Sequence, residues 1–318
     1  MTCGRPAGED SALFHRPRYQ PGIPATVEAP NAPLGELLEQ AARFYPERIA
    51  INFLGWTTTY SEMLASSERA ATLLCTRQAC ARETGVALIM PNCPPARRRR
   101  AQSPGPRRGT ARPDLPPRAR VAVVWEKGVE HVAGLKGLTV FSVDLSRALP
   151  GHLHTALRLP LAWACTMRAS MTAERLPVGV HSWNREVARA ARIPVSWPRP
   201  TGSDLAVLLH TGGTTGAPKA AMLTHTNLGA NTNQSTAWVP MLHEGGESSL
   251  SLLSFFHAFG LTFNLFCAVQ KATTQVIMPR FDPAEVLHAH RRRRLTFFVG
   301  VPVVFARILR AAQEAGRT

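Results

Sequence analysis

Leu205-Ala-Val-Leu-Leu-His210-Thr211-Gly212-Gly213-Thr214-Thr215-Gly216-Ala217-Pro218-Lys219 is the stretch that decides how this chain is read. Leu205 to Leu209 is a strand signal that runs into a turn of glycines and hydroxyls and closes on Pro-Lys. Glycines let the backbone turn sharply and bring N–H groups close to an anion. Thr211, Thr214 and Thr215 add hydroxyl donors, and Lys219 supplies a point charge for phosphate oxygens. Together these residues make a phosphate cradle. It is not a Walker A loop, because Pro218 precedes the lysine and Ala220 follows it. No G-x-G-x-x-G dinucleotide fingerprint occurs either. A lone run of small residues would read as a flexible surface loop. The strand before it and Leu223-Thr-His225-Thr-Asn227 after it argue against that reading.

Working outward, strands alternate with helices. Downstream, the pattern predicts a helix over Leu223 to Trp238 with Thr224 as its cap, and a strand over Ser249 to Leu253. A helix from about Ala258 to Val269 and a strand from Gln275 to Met278 follow. Asp282 caps a helix over Pro283 to Arg292; a strand over Leu295 to Val299 and a helix over Pro302 to Glu314, ended by Gly316, complete the pattern. Upstream, Leu34 to Tyr45 has helical spacing, Ile49 to Leu54 is β-rich, and Gly55 offers a turn before Thr57 to Thr59. Thr59-Tyr60-Ser61-Glu62 has capping-box spacing ahead of a helix to about Cys75. Gly85 to Met90, Val121 to Trp125 and Val140 to Val143 are buried-strand signals, while prolines interrupt most of residues 126 to 200. The expected class is α/β, with mainly parallel sheets covered by helices.

The chain has 318 residues, a formal net charge of +16 and 45% apolar residues, a fraction that rules out wholesale disorder. No apolar run is long enough to span a bilayer, and Met1 to Pro30 lacks the apolar core of a signal peptide, so the expected location is the cytoplasm. Half of the excess charge sits in residues 95–120, where nine arginines face only Asp114 among six prolines. Prolines 104, 106, 113, 116 and 117 deny that stretch a long helix or a central strand. It reads as a disordered insert. Arg, Pro, Gly and Ala are also what GC-rich codons encode, so the preferred origin of the stretch is a segment translated out of frame. A basic nucleic-acid tether is the rival reading, but the stretch lacks the aromatic platforms of single-strand binders, and no nucleic-acid partner is expected. The six cysteines are scattered without metal-ligand spacing, so neither a disulfide framework nor a zinc site is expected.

Thr211 to Lys219, continued by Met222-Leu-Thr-His225-Thr-Asn227-Leu, resembles the ATP-signature loop of the adenylate-forming (AMP-binding) superfamily. Phe256-His257-Ala-Phe-Gly260 resembles the next motif of that family. The flavour is similar to bacterial long-chain fatty-acid–CoA ligases. Pro24-Ala-Thr-Val-Glu, Leu34 to Pro46, Thr57-Thr-Thr-Tyr60, Met90-Pro-Asn92, Phe281-Asp-Pro283 and Gly300-Val-Pro302 extend the match over about residues 20–94 and 121–318. The resemblance implies the N-terminal domain of that fold without its C-terminal lid. Its expected parts are an irregular leader (1–30), a first domain segment (31–94), the aberrant stretch (95–120) and the domain continued (121–318).

The implied activity is a two-step ligation. ATP, with Mg2+, and a fatty acid form an acyl-adenylate, and CoA then displaces AMP. On this resemblance Thr211, Gly212, Gly213, Thr214, Thr215, Gly216 and Lys219 hold the triphosphate, with Lys219 and His257 as catalytic residues and no metal ligands among the residues present. Taken alone, His257 reads equally as a core histidine, and Phe255, Phe256, Phe259 and Phe263 read as core or as the lining of an acyl pocket. The lipid substrate implies peripheral membrane association. Ala220, His210 and Ser254 stand where the family favours Gly, Tyr and Pro. The family's adenine, ribose and lid residues lie beyond Thr318, so the chain by itself is expected to be an impaired fragment. Other adenylating chemistry, on aryl or amino acids, is the alternative within the family.

Overall fold

The computed structural model describes residues 19–76, 85–92, 101–102, 119–194, 196–211, 219–278 and 281–316. Helix α1 (Gly35–Phe44) leads into a hairpin of β1 (Ile49–Phe53) and β2 (Trp56–Thr59), then α2 (Tyr60–Thr76) and β3 (Gly85–Ile89). Strands β4 (Ala101–Gln102) and β5 (Ala119–Trp125) precede a 3-10 turn over Glu126–His131, strand β6 (Thr139–Val143) and a second such turn over Leu145–Ala148. Helices α3 (Gly151–Ala156) and α4 (Ala162–Met171), strand β7 (His181–Ser182) and helix α5 (Trp183–Arg189) follow. The chain continues through β8 (Leu205–Thr211), β9 (Lys219–Thr224), α6 (His225–Ala237) and β10 (Ser248–Ser251). A π-helical segment over Gly260–Cys267 runs into the short α7 (Ala268–Gln270), followed by β11 (Thr274–Ile277), α8 (Pro283–Arg292), β12 (Phe297–Phe298) and α9 (Pro302–Glu314).

Two five-stranded sheets organise these elements, as the alternating pattern predicts. The first has the order β12-β10-β11-β1-β2 and is parallel except at the β1–β2 hairpin; the second, β4-β3-β5-β6-β7, is parallel throughout. Parallel strands are buried on both faces, and β5 follows that rule. Val121 and Val123 join a large core with Ile51, Phe53 and Ile277 of the first sheet and Met63, Leu73 and Leu74 of α2. Ala122 and Val124 face the other way, onto Ile89, Val129, Val132 and Val140. Side chains of α1 and α2 therefore join the two sheets into one core. The Tyr60 hydroxyl, at the start of α2, donates to the carbonyls of Thr273 (2.8 Å) and Ala268 (3.3 Å), fixing the helix to the turn before β11.

Local signals explain most boundaries. Leu54 and Gly55 both carry positive φ, as a two-residue hairpin of this hand requires, and Phe53 pairs with Trp56 across them. The Thr59 N–H donates to the Glu62 carboxylate (2.8 Å) and the Glu62 N–H to Thr59 Oγ1 (3.3 Å), which completes the expected capping box. Asp282 caps α8 through the N–H groups of Ala284 and Glu285.

Four differences from the sequence reading have physical reasons. Residues 219–223 form a strand rather than the first turn of a helix, because their backbone pairs with β8; the helix starts at His225. The strand expected over Leu295 to Val299 shrinks to Phe297–Phe298 at the sheet edge, where one neighbour, β10, remains to pair with. Within 95–120, Ala101–Gln102 forms an edge strand on β3, and Ala119 and Arg120 already belong to β5; residues 93–100 and 103–118 lie outside the described residues. Cys75 is disulfide-bonded, with its partner outside the described residues, whereas Cys165 and Cys267 are free thiols. Cysteine spacing alone does not say which thiols meet in space. Burial pushes the Cys267 thiol up to about 12, so it packs as a hydrophobe. Gln275 and Ser249, side by side on β11 and β10, have buried polar atoms without a hydrogen-bond partner, an unusual cost that nothing in the core explains.

Glu126 follows β5 directly, and its carboxylate accepts the Ala173 N–H at 3.1 Å. Burial raises its pKa above the ordinary carboxylate value; the Ala173 bond opposes the shift, Asp144 adds to it and Arg147 offsets it. A raised folded-state pKa means that the native state binds this proton more readily than the unfolded chain, so the contribution of this group to stability fades as pH rises through the folded pKa. Glu126→Gln is therefore expected to raise the unfolding temperature at pH 7. The gain shrinks as pH falls towards the unfolded carboxylate value near 4.5. Thermal melts of both proteins from pH 4 to pH 8 check this, and a gain that grows on acidification contradicts it.

Candidate functional site

The glycine-rich stretch spans the tip of a two-stranded antiparallel hairpin. Strands β8 and β9 pair in the register Val207–Leu223, Leu208–Met222, Leu209–Ala221, His210–Ala220 and Thr211–Lys219. The last rung thus holds the two ends of residues 212–218 one strand spacing apart, about 4.8 Å. Gly212, Gly213, Thr214, Thr215 and Gly216 lie outside the described residues; Thr211 and Lys219 are the strand positions that flank them. Lys219, Ala220, Ala221 and Met222 are exposed, so the far end of the hairpin stands in solvent while its base is packed.

Directly after the hairpin, Thr224-His225-Thr226-Asn227 does structural work. Thr224 Oγ1 accepts the Asn227 N–H and Asn227 Oδ1 accepts the Thr224 N–H, both at 3.1 Å, a reciprocal cap that starts α6. The buried His225 accepts the Leu34 N–H on Nδ1 (3.2 Å), and its own N–H donates to the Asp204 carbonyl (3.2 Å). Thr226 donates through its N–H to the Gly202 carbonyl (2.8 Å) and through Oγ1 to the Pro30 carbonyl (3.1 Å). Side chains at two glycines would block this docking. A Cβ at Gly202 would stand 2.4 Å from Thr226 Oγ1, and one at Gly229 would stand 2.6 Å from Pro30 Cγ. Residues 19–30, read from the sequence as an irregular leader, are thus laid along α6, where Tyr19 also meets Trp238 edge-on at 5.0 Å.

His257 lies on the loop that leaves the carboxyl end of β10, and it is exposed. Asn92, three residues after β3, holds that loop from the second sheet. Its Nδ2 donates to the Leu253 carbonyl (2.8 Å), and its Oδ1 accepts the Phe255 N–H (2.9 Å). Asn264 Nδ2 reaches the same Leu253 carbonyl from the π-helical segment (3.1 Å). The chain then doubles back so tightly that a Cβ on Gly260 would lie 2.2 Å from the Ser254 carbonyl oxygen. Phe255 packs on the large core and Phe256 lies against the His257 ring (4.6 Å between centroids). Phe259 and Phe263 meet edge-on at 5.1 Å.

One apolar cluster joins the two motifs: Ala206, Val207 and Leu223 from the hairpin, Leu228 from α6, and Leu261 and Leu265 from the π-helical segment. Thr262 Oγ1 adds a 2.7 Å bond to Asn231 Oδ1. Sequence reasoning assigned no role to Asn92, Gly260 or His225, although all three stand in stretches it quoted; a buried Asn after a strand and a Gly closing an aromatic loop were the available signals. Among the described residues, no group of three or more His, Cys, Asp or Glu side chains could hold a metal ion. No helix among them is long and apolar enough to cross a membrane. A shallow cavity of about 420 Å3 between residues 22–28 and the far end of α6 lies away from the hairpin.

Comparison with known proteins places these features. The sequence model of the AMP-binding enzymes matches residues 156–317, a span that holds the hairpin, the cap of α6 and the His257 loop. The long-chain-fatty-acid–CoA ligase of Bacillus subtilis is 28% identical over 309 residues, covering 92% of this chain and 54% of the relative. The 4-coumarate–CoA ligase-like 9 of Oryza sativa is 34% identical over 143 residues, covering 43% of this chain and 25% of the relative. Among solved structures, ATP-bound MatB from Rhodopseudomonas palustris superposes with a TM-score of 0.65 at 22% identity, covering 88% of this chain and 51% of that one. The o-succinylbenzoate CoA synthetase of Bacillus subtilis, in complex with its acyl-adenylate intermediate, gives 0.54 at 21%, covering 89% and 51%. The chain spans about half the length of the first of these relatives and a smaller share of the second. With its hairpin, capped helix and histidine loop all inside a family match that covers half its length, the chain belongs to the AMP-binding enzymes.

Proposed function

We propose that this chain supplies the triphosphate- and carboxylate-binding part of an acyl-CoA ligase acting on long-chain fatty acids in the cytoplasm. The observation that supports the proposal is the hairpin register, which sets Thr211 opposite Lys219 and so keeps the two flanks of the Gly/Thr-rich sequence at one rung. In the first step a carboxylate oxygen attacks the α-phosphorus of ATP and pyrophosphate leaves. In the second, the CoA sulfur attacks the acyl carbon, its thiol proton is lost, and AMP leaves. A carboxylate is a poor electrophile, and the mixed anhydride removes that obstacle. Backbone N–H groups of Gly212, Gly213 and Gly216, the hydroxyls of Thr211, Thr214 and Thr215, and the Lys219 ammonium would meet the charge that gathers on the departing pyrophosphate. Mg2+ would arrive with ATP, coordinated chiefly by phosphate oxygens, as is usual for this ion.

His257 would stand beside the acyl carboxylate, on a loop whose position Asn92 fixes. Its exposure leaves the ring free to meet a substrate. Phe256, Phe259 and Phe263, on the same loop and the helix after it, supply apolar surface for an acyl chain. The fatty-acid reading draws on the Bacillus subtilis relative, which aligns with most of this chain. A second reading, activation of an aryl acid, draws on the 4-coumarate–CoA ligase-like relative, which is more identical over a shorter span.

Two measurements test the proposal. Calorimetric titration with MgATP is expected to give saturable binding that Lys219→Ala weakens at least about tenfold, the loss typical of a charge-assisted contact. Equal affinity in the two proteins contradicts the role of the loop. Stable acyl-adenylate analogues carrying palmitoyl, coumaroyl or succinylbenzoyl groups then rank the acids. The palmitoyl analogue is expected to bind at least about tenfold tighter, since each buried methylene adds about 0.8 kcal/mol. Preference for an aryl analogue removes the fatty-acid reading and leaves the adenylate reading intact.

A further inference from the structure

The connection after α3 and the first turn of α4, Arg158-Leu159-Pro160-Leu161-Ala162-Trp163, present three large apolar side chains to solvent within five residues. Leu159 is 49% exposed, Leu161 44% and Trp163 49%. Its base is anchored. Leu157 and Ala164, on either side, are buried in the main core, and Arg168 Nη1 donates back to the Leu157 carbonyl at 3.1 Å. The Leu159 N–H also closes a turn onto the Ala156 carbonyl (3.1 Å). This is a fixed apolar tip on a rigid stem.

Between Asp144 and Glu174 the charge carried by the chain has one sign. From Leu145 to Ala173 the sequence contains no aspartate or glutamate, while Arg147, Arg158 and Arg168 all lie in that span. Arg147 is paired with Asp144, so Arg158 and Arg168 carry the charge beside the tip. Leucines and a tryptophan backed by arginines match the two layers of a membrane surface. The acyl boundary accepts the apolar tip and the indole, and anionic headgroups meet the guanidinium groups. We propose that the α3–α4 loop docks this protein reversibly on anionic lipid bilayers, with Leu159, Leu161 and Trp163 inserted and Arg158 and Arg168 at headgroup level. The proposal deepens the fatty-acid reading, whose lipid substrate already implies membrane association, by naming the surface that docks; the vesicle assay reads that surface separately from nucleotide binding.

Co-sedimentation of the full chain with vesicles tests it. Wild-type protein is expected to bind phosphatidylglycerol–phosphatidylcholine vesicles several-fold more than pure phosphatidylcholine ones. The variant L159S/L161S/W163S is expected to lose at least about tenfold in partitioning. R158Q alone is expected to lose about fivefold, an effect that high salt abolishes. All substituted residues are exposed, and unchanged far-ultraviolet circular dichroism with a cooperative thermal melt confirms that the variants fold. Three outcomes overturn the proposal. One is no binding of the wild type to anionic vesicles. Another is binding that survives the triple substitution but is lost when Arg97, Arg98, Arg99 and Arg100 become serine. The third is a concentration-dependent dimer, abolished by the triple substitution, in a protein that ignores vesicles.

Discussion

Four consecutive residues, Thr224 to Asn227, hold together chain segments nearly two hundred positions apart in sequence. The reciprocal cap of Thr224 and Asn227 converts a strand into a helix without an intervening loop. Between them, His225 and Thr226 bind backbone groups of Pro30, Leu34, Gly202 and Asp204. Each bond is worth only about 1 kcal/mol net, but an orphaned buried partner costs more than the bond gains. The start of α1, the turn before β8 and the start of α6 therefore settle together. The phosphate-binding role proposed for residues 212–218 calls for such a base, since backbone N–H groups serve an anion best when they are already aimed at its oxygens.

A second constraint positions the histidine loop. The two parallel sheets share one core through α1 and α2, which brings the carboxyl ends of β3 and β10 near each other. Asn92 then uses both ends of its amide on the 253–255 backbone. In open α/β sheets, ligands settle outside the carboxyl ends of strands. Here that rule has a specific agent, one buried asparagine whose donor and acceptor both face a loop that has no sheet partner of its own. An aspartate could accept from Phe255 but could not donate to Leu253, so the residue type follows from the pair of bonds.

The sequence made the parts with strong periodicity and defined caps legible. The Thr59–Glu62 box, the Asp282 cap, the buried β5 and the antiparallel hairpin at Gly55 all follow from local chemistry, because each signal lies within four residues of what it controls. Lys219 to Leu223 was not legible. A short run of Lys, Ala, Met and Leu suits helix or strand equally, and its pairing with β8 across seven residues decided the matter. The short elements between residues 126 and 200 escaped for a related reason. α3, α5 and β7 have seven residues or fewer, and tertiary packing of Leu157, just after α3, and of Trp183 in α5 into the core fixes them rather than any repeat. In the candidate site, the residue types between Thr211 and Lys219 suggested the phosphate role from local composition alone, whereas Asn92 and His225 act on backbone atoms far away in sequence, which no local pattern encodes.

The segment after His257 shows how site and scaffold are reconciled. The chain must leave β10, present His257 and enter a helix that packs on α6, all within a few residues. Gly260 makes the sharp return possible, since any side chain there would collide with the Ser254 carbonyl. The helix that follows is wound wider than an α-helix over Gly260–Cys267. Such windings admit an extra residue per turn and are common at functional sites. The segment places Leu261 on the hairpin cluster, Thr262 against Asn231 and Asn264 back on Leu253, and it keeps Phe259 and Phe263 together. Even the regular advance of about 100 degrees per residue spreads the first three over about half of the helix surface and leaves Phe259 and Phe263, four positions apart, on one face of the other half. The polar bonds that fix the loop and the aromatic pair beside the histidine can then both be satisfied by one short piece of chain.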